Sequence, residues 1–97
     1  MGVPVGKELL LLEILAGSGR PRYGKEMMEE AGLKHGTIYP TLYRMEERGY
    51  VTAWEERAPG ERGIGRRMYQ ITGLGQRALN AAYAAAAAFA KVSIAGR

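Results

Sequence analysis

The chain has no cysteine and no aspartate among its 97 residues, and only one histidine, one tryptophan and one phenylalanine. Without cysteine there is no disulfide and no thiolate metal site, and nothing implies an oxidising compartment. His35 by itself cannot build a histidine-rich metal site or a relay of histidines, so neither a metal nor a cofactor is expected. No Ser/His/acid arrangement is visible, and the adjacent pairs Glu46-Glu47 and Glu55-Glu56 have no buried setting for general acid–base work. The glycines at 60, 63 and 65 lack the strand-to-helix context of a phosphate-binding loop. An enzyme is therefore not expected. Long hydrophobic runs are missing too. The leucines at 9–12 are flanked by Glu8 and Glu13, unlike a signal peptide, and the apolar stretch 81–90 falls far short of the roughly twenty residues that span a bilayer. A cytoplasmic location, with no membrane partner, is the default expectation.

What is present is basic charge, carried mainly by arginine. The formal net charge is +4, and ten of the fourteen basic residues are arginine, the side chain suited to bidentate contact with phosphate or guanine. Composition like this is equally common on an ordinary soluble surface, so the placement of the charge has to decide. At this length one domain with one modest core is expected, and dimerisation through a terminal helix would supplement it.

Residues 1–6 read as a loose arm. Residues 7–16 describe a largely buried first helix, stopped by Gly17-Ser18-Gly19-Arg20-Pro21. A short second helix runs over 23–31, with Met27, Met28 and Ala31 as its apolar stripe and Gly32 at its end. A third helix, over 36–48, buries Ile38, Leu42 and Met45. Its outward face carries Tyr39, Pro40, Tyr43, Arg44 and Glu47, where a plain solvent face would carry Glu–Lys pairs. Residues 50–57 and 67–72 are β-prone and flank a Gly/Pro loop, which predicts a hairpin. Within 57–67 four arginines stand against the single Glu61, so the positive charge gathers on this wing. Thr72 caps a last helix over 73–94, where Leu74, Ala78, Ala81, Ala85, Phe89 and Val92, with Ala82 beside them, form a small-residue stripe. The expected fold is mainly α (α+β): a winged helix-turn-helix of three helices and a two-stranded β-wing over 7–72, then a C-terminal packing or dimerisation helix and tail over 73–97. In that arrangement the third helix enters the major groove.

Four stretches resemble the PadR family of transcriptional regulators. They are Tyr23-Gly24-Lys25-Glu26-Met27, the run from Gly36-Thr37-Ile38-Tyr39-Pro40 to Glu46, Gly49-Tyr50-Val51, and Arg67-Met68-Tyr69-Gln70-Ile71-Thr72-Gly73-Leu74-Gly75. The resemblance covers roughly residues 9–79. It implies a homodimeric, usually repressing factor on a pseudo-palindromic operator, dimerised through its C-terminal helices. It also implies double-stranded DNA as partner and, in many members, a small aromatic or cationic effector. Lys34-His35 departs from the family's small polar N-cap followed by proline. The single alanine-rich last helix is similar to the short subtype; it offers Tyr83 and Phe89 in place of the family's drug-stacking tryptophan.

The candidate DNA-binding residues are Tyr23, Lys34, His35, Thr37, Tyr39, Pro40, Tyr43, Arg44, Arg62, Arg66 and Arg67, each with a plainer alternative. Tyr39 and Tyr43 contact bases, sugars or phosphates, or pack against the wing or first helix. Pro40 meets a thymine methyl or sugar, or is structural, near the first turn where its cost is small. Thr37 offers its hydroxyl to a phosphate at the positive helix end, or simply caps the helix. Arg44 binds phosphate or base, or pairs with Glu47, as Arg48 also does in the alternative reading. Lys34 and His35 reach backbone phosphates, although a lone exposed histidine is most often silent. The wing arginines contact backbone or minor groove, or are merely solvated. Trp54 is expected to cover the core. The competing function is a protein-interaction module using the same faces without reading sequence.

Overall fold

The computed structural model describes Pro4, residues 6–57 and residues 65–95, with side chains described as far as residue 90. Seven elements follow in order: α1 (Gly6–Ser18), β1 (Arg22–Tyr23), α2 (Gly24–Ala31), α3 (His35–Glu47), β2 (Val51–Glu56), β3 (Arg66–Ile71) and α4 (Gly73–Ala95). Apolar spacing decides which faces meet. Leu11, Leu12 and Leu15 of α1, Met27 of α2 and Ile38, Leu42 and Met45 of α3 are all buried, and they join Tyr50, Val51, Tyr69 and Leu79 in one core. The expected stripe of α3 is thus the buried one, with Thr41 added; the Thr41 hydroxyl is satisfied by donating 2.7 Å to the Thr37 carbonyl.

The expected hairpin forms: β2 and β3 pair antiparallel from Val51↔Ile71 to Glu56↔Arg66. A third strand was not anticipated. β1 pairs with β3 through Arg22↔Tyr69 and Tyr23↔Met68, giving the order β1-β3-β2. Two residues after Pro21 carry too little alternation to announce a strand; only the free edge of β3 makes them one. Strand alternation also moves Trp54. Val51, Ala53, Tyr69 and Ile71 face the core, so half-buried Trp54 shares the opposite face with Met68 and Tyr23. Trp54 therefore does not belong to the core that it was expected to cover.

Helix boundaries follow local chemistry. Gly32 (φ +69) closes α2 in the left-handed region, and its N–H bonds the Glu29 carbonyl. The junction from β3 into α4 is held by Thr72. Its hydroxyl donates to the Gly49 carbonyl at 2.5 Å and accepts from the Gly75 N–H at 3.0 Å, while its own N–H binds the Tyr50 carbonyl. Gly75 must be glycine, because a Cβ there would stand 2.1 Å from the Tyr50 oxygen. The Thr-x-x-Gly spacing read in the sequence is the chemistry of this latch. Beyond it, Leu79 anchors α4 in the core and the Tyr83 hydroxyl reaches Glu13 of α1 at 2.6 Å, a bond that raises the Tyr83 pKa.

Candidate nucleic-acid interface

α3 starts at His35, with extended Lys34 as its N-cap residue. No side chain caps it. The Lys34 carbonyl instead accepts the Thr37 and Ile38 N–H groups at 2.9 and 3.0 Å, so the helix opens without the small polar residue usual at this position. Thr37 consequently lies inside the first turn and is not the cap. Pro40 is the sixth residue of the helix, one residue deeper than a start at Gly36 would place it and beyond the first turn. It removes the donor that would have bound the Gly36 carbonyl, so its cost is that of an interior proline. Both Gly36 and Pro40 are exposed, which leaves that carbonyl open to water.

The two tyrosines of the outward face separate. Tyr43 projects freely, 62% exposed. Tyr39 is half-buried and leans on the core, and its ring lies where a side chain at Gly24 would be: a Cβ there would meet Tyr39 Cε1 at 2.6 Å. The His35 ring tilts against Tyr39 with centroids 4.8 Å apart. Lys34, His35, Pro40, Tyr43 and Arg44 are exposed; Thr37 is half-buried.

Behind this face lies an acid that the sequence reading missed. Glu8 is 1% exposed, and Arg48 Nη1 contacts its two carboxylate oxygens at 2.7 and 2.8 Å. Arg44 Nε lies 3.9 Å from the same carboxylate, and its Nη2 is 3.4 Å from the Thr41 hydroxyl. Glu8 and not Glu47 is therefore the acid that these arginines share. The signal was there to be found: Glu8, Leu11, Leu12 and Leu15 stand at i, i+3, i+4, i+7, so Glu8 belongs to the buried face of α1.

The wing meets α3 through charge. Arg66 and Arg67 of β3 stand opposite Glu56 and Glu55 of β2, which offsets part of the positive charge read from the sequence. Arg67 Nη2 also contacts both carboxylate oxygens of Glu46 on α3, at 2.9 and 3.1 Å, and this bond raises the Arg67 pKa. The Arg66 guanidinium lies over the Tyr23 ring at 4.8 Å. Arg62 falls outside the described residues. At the start of α2, Glu26 accepts from the Tyr23 N–H and from Arg20, and Arg22 binds Glu30. The hydrogen bond from Arg20 holds the Glu26 pKa down at about 2. Between these elements opens a cleft of about 300 Å³, lined by Tyr23, Gly24, Lys25, Tyr39, Gly65, Arg66 and Arg67.

On α4, Ala78 and Ala82 are half-buried against the body of the protein, whereas Leu74, Ala81, Ala85 and Phe89 are exposed, Phe89 to 77%. The side chain of Val92 lies outside the described set. Among the described residues no group of acids or histidines is arranged to hold a metal, and no helix is long and apolar enough to cross a membrane.

Three helices followed by a β-hairpin whose stem abuts the third helix define a winged helix-turn-helix of the kind found in transcription factors. The chain belongs to the PadR-like family of transcriptional regulators, whose family profile matches residues 11–81; these are DNA-binding regulators and not enzymes. A PadR-like transcription factor from Bacteroides fragilis superposes with a TM-score of 0.78 at 22% identity, over 94% of this chain and 89% of that one. A PadR family regulator from Clostridium difficile gives 0.74 at 26% identity, over 88% and 91%. The PcaV regulator from Streptomyces coelicolor, in complex with its natural ligand, gives 0.76 at 20% identity; this chain spans 98% of itself but 64% of PcaV. No curated protein matches the sequence.

Proposed function

We propose that the protein is a sequence-specific transcriptional repressor that binds a pseudo-palindromic operator as a homodimer. The observation that carries this reading is the composition of one face. Pro40, Tyr43 and Arg44 are exposed on the side of α3 away from its buried Ile38/Thr41/Leu42/Met45 side, exposed Lys34 and His35 stand at its N-terminal end, and Arg67 of the wing is tied to the same helix through Glu46. In this reading Tyr43 and Arg44 meet base edges. Lys34, His35, Thr37 and Pro40 meet sugar and phosphate at the start of the helix, and Tyr23, Tyr39, Arg66, Arg67 and Arg62 position the backbone and adjacent groove.

Dimerisation through α4 is supported by its exposed Leu74, Ala81, Ala85 and Phe89, with Ala78, Ala82 and Val92 along the same helix. Release by a small aromatic effector is what the family resemblance implies; PcaV, a neighbour in fold, was solved with its natural ligand. Selection from random duplex DNA tests the proposal: it should enrich an inverted repeat whose half-sites lie about one helical turn apart. Recovery of no motif would sink it.

A further inference from the structure

The cleft between the start of α2, Tyr39 and β3 has a one-sided chemistry. Its lining holds Lys25, Arg66 and Arg67, the rings of Tyr23 and Tyr39, and two glycines, with no carboxylate among them. The cations are not equivalent. Arg67 is engaged by Glu46 across 21 residues of sequence, and Arg66 is laid over the Tyr23 ring. Lys25 is exposed and makes no ion pair among the described residues, although Glu26, Glu29 and Glu30 lie on its own helix. Those acids are directed elsewhere in two cases: Glu26 to Arg20 and Arg22, Glu30 to Arg22.

The walls are fixed. Gly24 lets the Tyr39 ring stand at 2.6–2.9 Å from where a Cβ would be, so Tyr39 forms one side of the cleft and not a probe extended into a groove. The floor is tied to the sheet, since Tyr23 pairs with Met68. A site that is positive, lined by phenol rings and free of acids among the described residues suits a single phosphate group, by charge and by hydroxyl donation. We propose that this cleft seats one phosphate of the DNA backbone, with Lys25 as its principal charge partner and Tyr39 as its wall. The proposal rests on the DNA-binding reading above and assigns Lys25 and Tyr39 to sequence-independent anchoring, leaving base reading to Tyr43 and Arg44.

The test compares wild type, Lys25→Met and Lys25→Arg on two duplexes of equal length, the selected operator and an unrelated sequence, over a range of KCl concentrations. Lys25→Met removes one phosphate contact from each protomer of the dimer, so it should weaken both duplexes by the same factor, about thirtyfold near 0.15 M salt, and lower the slope of log K against log salt by about 1.8, about 0.9 per protomer. Lys25→Arg should restore both. Circular dichroism of this exposed substitution should match wild type. An unchanged salt slope, or a loss confined to the operator, overturns the proposal. So does a titration with inorganic phosphate at constant ionic strength that shifts the Tyr23 and Tyr39 ring resonances while Lys25→Met binds both duplexes like wild type; the ligand is then a free phosphate and not DNA. If wild type binds the unrelated duplex but no selected site exists, the sequence-specific reading fails and the phosphate seat is still decided by the unrelated duplex.

Discussion

A methyl group at position 24 would sit 2.6–2.9 Å from two ring carbons and the hydroxyl oxygen of Tyr39. Gly24 begins α2 and is buried, so the ring must move or the helix must shift. Gly24→Ala is expected to lower stability by about 1–3 kcal/mol, and less in a Tyr39→Ala background, as urea unfolding of the double-mutant cycle will show. The buried Glu8 makes a second residue-scale prediction. Glu8 is enclosed, whereas Arg48 and Arg44 are 42% and 47% exposed along their side chains. Removing the acid lets the arginines turn to water; removing Arg48 leaves a buried carboxylate short of its main partner. Arg48→Met should therefore cost about 2–4 kcal/mol and Glu8→Gln clearly less. Equal losses in denaturant titrations would contradict that asymmetry. Both features escaped a reading by periodicity, which gives the face a residue occupies and not the neighbour that meets it there.

At the scale of elements, charge holds β1 and the start of α2 in place, and it does so in a pH-dependent way. The Glu26 pKa is lowered from an ordinary value of 4.5 to about 2 by Arg20. A lowered carboxylate stabilises fully above its unfolded pKa and loses that contribution as pH falls through the folded value. Stability should thus decline between about pH 5 and pH 2, with the Glu26→Gln variant showing a shallower acid limb. High salt should blunt the difference, since Arg20 is 56% exposed. The α4 junction depends on hydrogen bonds instead. Thr72→Val removes a bond to Gly49 and the cap on Gly75, an expected loss of about 1–2 kcal/mol measured by thermal unfolding. The Thr72 cap was legible because its hydroxyl accepts from a neighbour three residues on, whereas its bond to Gly49 and the Tyr50 carbonyl that makes Gly75 necessary were not. β1 was not, because two residues become a strand only when β3 offers an edge.

For the whole molecule, α4 leaves apolar side chains exposed along one side, Leu74 and Phe89 at 46% and 77% exposure, with Ala81 and Ala85 between them. If α4 is the dimer contact, Phe89→Glu should give a monomer in sedimentation at concentrations where wild type is dimeric. Operator affinity should fall with it, since two half-sites can no longer be held by one particle. A dimeric Phe89→Glu protein would place the interface elsewhere.

The sequence by itself determined the order of helices and hairpin, the buried stripe of α3 and the Thr72 cap of α4. Each depends on spacing within one element or on residues a few positions apart, and the periods of helix and strand make such spacing readable. Only the tertiary structure decided which side chains are spoken for. Glu8 takes Arg48, Glu46 takes Arg67, Gly24 receives Tyr39 and β3 recruits β1. These contacts join residues 15 to 47 positions apart, and no local pattern encodes the partner because the partner is chosen by how the faces pack. That packing narrows the segment opening α3: it parts Tyr39, a fixed wall, from Tyr43, the residue left projecting.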